Sequence, residues 1–263
     1  MSETAVKIHI LGSCSGTEPM PERHQTSIWL EADNRSYLFD AGENCAYTAC
    51  MMGLDPLKIH AVFISHPHMD HVGGLPHFLW TIRKLTLMRN RPLEAGVLPV
   101  HTPDQSQFEA ILRMLGSTEG NFGGVAVQSC PVRDGEIFQD GTIRVEAVHN
   151  LHLGVPEDGC WKSYSFRITC AGKKIVYSGD IKSLSDISGW LAEECSLLMT
   201  ETGHHHPWEV AAELRQRNFR PERLVFVHHG RDFLNHFDES LQKTEAAWGG
   251  KVTAAADRMT IEL

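Results

Sequence analysis

The residues best equipped for chemistry lie together at Ser65-His66-Pro67-His68-Met69-Asp70-His71, where four ligand-competent side chains fall within six positions. His66 and His68 are two apart, so in an extended segment both point to one side. Asp70 and His71 are adjacent, and a turn can direct them to a neighbouring position. Four short arms cannot all reach one tetrahedral ion unstrained, so the spacing suits two cations. Imidazole nitrogen with carboxylate oxygen is the donor set of zinc, manganese or iron, zinc first. The chain carries 16 histidines, more than a core needs. Imidazole is the commonest metal ligand and a frequent proton carrier. A second concentration occurs at Glu201-Thr202-Gly203-His204-His205-His206-Pro207.

Such groups must be held by regular elements, and the hydrophobic pattern places a strand before each cluster. The short apolar run Ala61 to Ile64 reads as a strand that ends on His66, and Leu197 to Thr200 as one that ends on Glu201. In the first half, Val6 to Leu11, Ser27 to Ala32 and Ser36 to Phe39 also read as strands, the last two joined at Asp33-Asn34. Helices are expected over Cys45 to Met52, Leu75 to Met88 and Pro103 to Leu115, the last stopped by Gly116. In the second half Val125 to Gln128, Thr142 to Val148, Ser163 to Thr169, Lys174 to Tyr177 and Leu224 to Val227 read as strands. Helices follow at Pro207 to Arg217 and Phe237 to Trp248. Two halves of similar order imply an α/β protein with sheets inside and helices outside, forming one domain over residues 1–263.

Composition bounds the function. With 263 residues, 42% of them hydrophobic, the chain can bury a sizeable core. Acidic residues outnumber basic ones 33 to 24, a formal net charge of −9, which argues against a broad basic face for nucleic acid. An anionic substrate stays open, because bound cations would add positive charge locally. The seven cysteines include no CxxC pair. The start at Met1-Ser2-Glu3 lacks a signal-peptide pattern, and no run of about 18 apolar residues is present. A cytoplasmic protein with no membrane association is the expectation.

The HxHxDH pattern at His66, His68, Asp70 and His71 resembles the metal motif of the metallo-β-lactamase superfamily. The opening Leu11-Gly12-Ser13-Cys14-Ser15-Gly16-Thr17 with Arg23, and Phe39-Asp40-Ala41-Gly42-Glu43, are similar to the tRNase Z and related phosphodiesterase branch. So are Tyr177-Ser178-Gly179-Asp180 and the strand Leu224 to Val227 followed by His228. The resemblance covers nearly the whole chain. It implies a four-layer αβ/βα sandwich, two mixed sheets inside and helices outside, and a dinuclear metal-dependent hydrolase. One site would take His66, His68 and a histidine at the end of the strand Thr142 to Val148, for which His149 is preferred to His152. The other would take Asp70, His71 and His228, with Asp180 bridging. His228 is preferred to His229, which would orient a ligand or the substrate. Asp70 could also accept a proton from an attacking water. A homodimer is a further implication of the resemblance.

The residues left over concern substrate. His204 or His205 could donate a proton to the leaving oxygen, with Glu201 beside it, as a Glu and a His do in this part of the tRNase Z branch. The local pattern here departs from that branch, and exposed loop histidines are the plain alternative. Lys182 and Arg231 could pair with a phosphate, and Ser13, Ser15 and Gly16 could offer N–H groups to an anion. Trp161 and Trp208 fall in loops on the same face and could stack on a base, although core packing is the commoner use of tryptophan. Members that mature tRNA carry a protruding arm, in bacteria between the strand-end histidine and the bridging aspartate. Only about 30 residues separate His149 from Asp180, largely filled by two strands. The expectation is therefore a phosphodiesterase for a small phosphodiester such as a cyclic nucleotide. Thiolester or lactone hydrolysis, tRNA 3′-end cleavage and a nucleotide-binding module without turnover are the alternatives.

Overall fold

A computed structural model describes residues 5–118 and 125–263; the N-terminal Met1-Ser2-Glu3 lies outside them. In chain order the first half comprises β1 (Lys7–Gly12), β2 (Ser27–Ala32), β3 (Arg35–Phe39), α1 (Cys45–Met51), β4 (Ile59–Phe63), α2 (Met69–Val72), α3 (Leu75–Arg89), β5 (Val97–Thr102), α4 (Gln105–Thr118) and β6 (Ala126–Pro131). The second half comprises β7 (Gly135–Gln139), β8 (Ile143–His149), β9 (Tyr164–Cys170), β10 (Lys173–Tyr177), α5 (Ser188–Leu191), β11 (Leu197–Thr202), α6 (Pro207–Gln216), β12 (Arg223–His229), α7 (Arg231–Asn235), α8 (Phe237–Trp248), β13 (Thr253–Ala254) and β14 (Thr260–Glu262).

The strands form two seven-stranded sheets, in the orders β14-β1-β2-β3-β4-β5-β6 and β13-β12-β11-β10-β9-β8-β7. Each is mixed. β1, β2 and β3 pair antiparallel, whereas β3 to β6 run parallel. In the other sheet β7 to β10 pair antiparallel and β10 to β13 run parallel. β14, from the C-terminal end, closes onto β1 in the first sheet.

Alternation along the strands explains the layers. Phe63 of β4, Phe166 of β9 and Val225 and Val227 of β12 face the core between the sheets. Val62 faces the opposite way, onto α1 and α3 through Ala46, Ala49, Phe78 and Ile82. Leu224 and Phe226 likewise face α6, against Val210, Ala211 and Leu214. A strand buried on both faces reads as a continuous apolar run, which is why β4 and β12 were visible without a period-two pattern. The result is the four-layer αβ/βα sandwich that the resemblance implied, two mixed sheets inside and helices outside.

Several elements differ from expectation. β5 was not foreseen because Pro99 sits inside it. The register tolerates this, since pairing with β4 begins only at Val100. β7 has an exposed or half-exposed face throughout and no apolar alternation to announce it. α4 runs through Gly116 to Thr118 rather than stopping there. No helix among the described residues is long and apolar enough to cross a membrane.

Candidate metal centre

Strand ends from both sheets meet at one edge of the sandwich. β4 passes into a turn and then α2, which together carry His66, His68, Asp70 and His71. Asp180 follows β10 directly after Gly179, whose positive φ of 55° turns the chain. His228 lies on β12 with a φ of 47°. That left-handed backbone costs a non-glycine residue energy and breaks the strand's alternation, and the surrounding structure must hold it.

The side chains form two adjoining groups, His66–His68–His152–Asp180 and Asp70–His71–His228, and His204 makes a third with Asp180 and His228. The Asp180 carboxylate stands between the first two. Its Oδ2 is 3.6 Å from His66 Nε2 and 3.7 Å from His152 Nε2. Its Oδ1 is 3.3 Å from His71 Nε2 and 3.3 Å from His228 Nε2. Asp70 Oδ2 completes the second group, 3.2 Å from His228 Nε2 and 3.6 Å from His71 Nε2.

The buried atoms at the centre of these groups fit a cation pair. His66 Nε2, His71 Nε2 and Asp180 Oδ1 are buried with no hydrogen-bond partner. Unpartnered buried nitrogen and oxygen atoms are costly unless something else binds them. The tautomers agree. His71 Nδ1 donates to Asp40 Oδ2 at 2.7 Å, and His66 Nδ1 lies 3.0 Å from the hydroxyl of Ser65, which itself donates to Asp40. Each arrangement leaves the Nε2 lone pair directed inward. Asp40 also accepts from Ser65 N and, at 2.6 Å, from the Tyr177 hydroxyl of the other sheet. Asp40 adopts a positive φ of 56°, so its backbone too is held against preference.

Electrostatics follow from burial opposed by charge. Burial alone would raise Asp180, but His228, His71 and His66 hold it well below the usual carboxylate range. Asp70 is likewise partly buried yet held at about 2, chiefly by the hydrogen bond with His228. Burial and the neighbouring His71 charge push His66 well below the usual imidazole value, favouring the neutral ligand form. Next to the cluster, Glu201 is fully buried and accepts from the backbone N–H of His204 at 2.9 Å and from its Nδ1 at 3.1 Å. That hydrogen bond raises His204 to about 8 against its partial burial.

The structure brings together His66, His68, Asp70, His71, Asp180 and His228, with Glu201 and His204 alongside. It does not bring His149 in. Asp134 receives both the backbone N–H and Nδ1 of His149, at 2.7 and 2.6 Å, and the ring stacks on Trp161. His152 occupies the expected place, because Asn150 turns the chain back. Asn150 Oδ1 accepts from the His152 N–H at 3.1 Å, while its amide donates to Ser165. The Asn two residues before His152 was the available signal, since such side chains favour this local turn.

The residues expected to bind substrate are mostly engaged elsewhere. Ser13 is buried, and both its N–H and hydroxyl go to Asp257. The Ser15 hydroxyl and N–H both go to the carbonyl of His229, although the residue lines the cavity above the cluster. His205 Nε2 donates to the Ile181 carbonyl at 3.0 Å. Arg231 pairs at two points with Glu18. Lys182 is exposed and does not line that cavity. His229 orients no ligand. It donates to the carbonyl of Ala255, and burial lowers it to about 3, so it is a neutral fastener between strand ends. Asp40, Ser65, Tyr177 and Asn150 are the positioning residues that sequence reasoning did not single out.

A sandwich of two mixed sheets whose strand ends gather this His/Asp constellation defines the metallo-β-lactamase fold. The family model described as anti-Pycsar protein Apyc1 matches residues 6–250, and the chain belongs to that family. It is also 34% identical to ribonuclease Z of Pyrococcus abyssi, with 86% of each chain covered. The identity reaches 43% with ribonuclease Z of Treponema pallidum, but over 84 residues, so the match spans about a quarter of that protein's length (26%) and 32% of this chain. Among solved structures, the metallo-β-lactamase fold protein YhfI from Bacillus subtilis superposes with a TM-score of 0.76 at 17% identity, covering 98% of this chain and 100% of that one. That likeness supports the fold.

Proposed function

We propose that the chain is a dinuclear metal-dependent phosphodiesterase acting on a small phosphodiester such as a cyclic nucleotide. The observation that carries this reading is the pair of candidate ligand groups, with Asp180 within 3.6 Å of histidines from both, beneath an open cavity of about 270 Å³. His66, His68 and His152 would hold one cation, Asp70, His71 and His228 the other, with Asp180 between them. The nitrogen-rich donor set favours zinc over manganese or iron. When bound, the two cations supply Lewis acidity toward the phosphodiester oxygens and a water of lowered pKa.

The protein's own groups do the rest. Asp70 stays ionised and orients the attacking water by accepting its hydrogen bond. His204 reaches over the same cavity, its Nδ1 fixed by Glu201, and carries the proton that the leaving oxygen needs. The cavity lies just below the ~300–1,000 Å³ usual for small-molecule pockets, a size that suits a phosphodiester group rather than a folded RNA. Residues 153–179 consist of a loop with β9 and β10, without the protruding arm expected of tRNA-maturing members. The homology to ribonuclease Z and the net charge of −9 fit the same chemistry on a smaller anion.

The deciding experiment compares zinc- and manganese-loaded protein on 3′,5′-cyclic mononucleotides, cyclic dinucleotides, bis(p-nitrophenyl) phosphate, a thiolester and a tRNA precursor, with His68→Ala as control. Turnover of cyclic nucleotides, reduced at least about 100-fold in the control, is the expected result. A preference for the thiolester or the tRNA precursor would overturn the reading. His204→Ala should slow cyclic nucleotides, whose alkoxide must be protonated, by about 10²–10⁴-fold. It should spare bis(p-nitrophenyl) phosphate, whose phenolate leaves unaided. Equal loss on both would remove His204 from the proton-donor role.

A further inference from the structure

A second cavity, of about 260 Å³, adjoins the one above the cluster and is lined by His204, His205, His206, Glu209, Arg231 and Asp232. The two share Gly203 and His204, so the His204 ring forms their common wall. The second cavity is mixed in sign. Its one permanent cation, Arg231, is already engaged by Glu18, and Glu209 and Asp232 bring two carboxylates. The two carboxylates disfavour a second phosphate there. A neutral heterocycle with both donors and acceptors would be matched.

His206 is the group best placed to meet such a ring. It stands at the N-cap position of α6, yet its side chain makes no capping bond. Instead Nδ1 donates to Asp232 Oδ2 at 2.6 Å, and the ring lies flat on Trp208, with centroids 4.8 Å apart and planes 11° apart. The Lys243 ammonium sits 5.0 Å from the Trp208 ring centre. An imidazole that remains about half exposed is thus held in one orientation by Asp232 and Trp208. With Nδ1 held by Asp232, Nε2 is the edge left for a ligand. Preorganisation of this kind lowers the ordering cost of binding.

We infer that this second cavity receives the nucleoside portion of the phosphodiester whose phosphate lies over the metal cluster, with His206 as the specificity-determining contact. The inference rests on the phosphodiesterase reading and deepens it. Another cavity, of about 380 Å³ near Leu153 and Trp161, shares no lining residue with the cluster's cavity, which makes it the weaker seat for a group joined to the phosphate.

Steady-state kinetics of zinc-loaded His206→Ala test the assignment on a 3′,5′-cyclic mononucleotide and on bis(p-nitrophenyl) phosphate, which has no nucleoside. The expected result is a KM raised about tenfold for the nucleotide at unchanged kcat, with the aryl diester unaffected, since one stacking or hydrogen-bonding contact is lost. His206→Gln, which keeps a hydrogen-bonding edge, should recover part of the loss. Equal change on both substrates, no change on either, or a nucleotide-selective rise in Trp161→Ala instead would overturn the inference. If the parent turns over neither substrate, the phosphodiesterase reading fails, and calorimetry still decides the cavity. A nucleoside 5′-monophosphate should then bind about tenfold more weakly to His206→Ala while inorganic phosphate binds unchanged. Equal nucleotide affinity in parent and variant would remove the subsite.

Discussion

At the scale of single residues, the candidate ligands are positioned by groups that lie outside the cluster itself. Asp40 is buried and accepts four hydrogen bonds, two from Ser65, one from His71 and one from Tyr177. The tyrosine keeps its proton because burial and the Asp40 charge push its pKa well up. It therefore acts as a donor that secures Asp40 for His71. Tyr177→Phe removes this one donor while keeping the ring in the core between the sheets. Zinc affinity, measured by competition with a chromogenic chelator, should fall about tenfold, the lower end of the loss usual for such outer groups. Affinity within about twofold of the parent would show that Ser65 and the backbone suffice. The histidine motif itself was plain in the sequence, because six consecutive positions are a local signal. Asp40 and Tyr177 were visible only as parts of family motifs. Their roles depend on a contact between residues 137 positions apart, and no spacing rule reaches that far. His149 and His152 show the reverse case. Both lie near one strand end, and the choice turned on a local bend at Asn150 that a rule about strand ends does not contain.

At the scale of elements, the two halves present their candidate ligands by different means. β4 delivers four of them in one turn, whereas β8, β10 and β12 deliver one each just beyond or at their ends. The single-ligand ends need close packing to aim correctly, and Gly203 after β11 supplies it. A Cβ at Gly203 would lie 2.4 Å from His228 Nδ1, too close for either group to remain in place. Gly203→Ala should displace His228 and empty the second ligand group, lowering zinc content by about half with far-UV circular dichroism unchanged. Full zinc occupancy in the variant would mean that β12 can shift to make room. Most of the strands were legible because both sheets bury apolar runs on two faces. β5 and β7 were not, since one contains Pro99 and the other is a polar edge strand whose pairing with β8 is decided by its neighbour. The positive φ of His228 could not be read from its own residue type either, because histidine, though enriched there among non-glycine residues, adopts that conformation in only a small minority of cases.

For the molecule as a whole, the candidate ligand groups join the two sheets. His66, His68, Asp70 and His71 follow a strand of the first sheet, whereas His152, Asp180 and His228 belong to the second. Each group contains residues from both, with Asp180 common to the two. Without cations, the buried His66 and His71 Nε2 atoms and the Asp180 Oδ1 atom lose their best partners. With cations, every bond across the cluster also ties sheet to sheet beside the apolar core that Phe63, Phe166 and Val227 form. Binding that favours only the assembled sandwich adds stability in proportion to the logarithm of metal excess. An excess of 1,000 times the dissociation constant contributes about 4 kcal/mol for each cation, about 8 kcal/mol for the pair. Chelation with EDTA should therefore lower the thermal midpoint by roughly 15 °C for a chain of this size, if unfolding is two-state. Added zinc should restore it. Asp180→Ala should start from a lower midpoint in zinc and respond less to EDTA, because the group shared by both sets is gone. Scanning calorimetry of parent and variant, each with zinc and with EDTA, separates this from simple loss of a buried carboxylate, which would lower both curves equally. A parent midpoint unmoved by EDTA under conditions that strip the metal would show that the apolar core alone holds the sheets together.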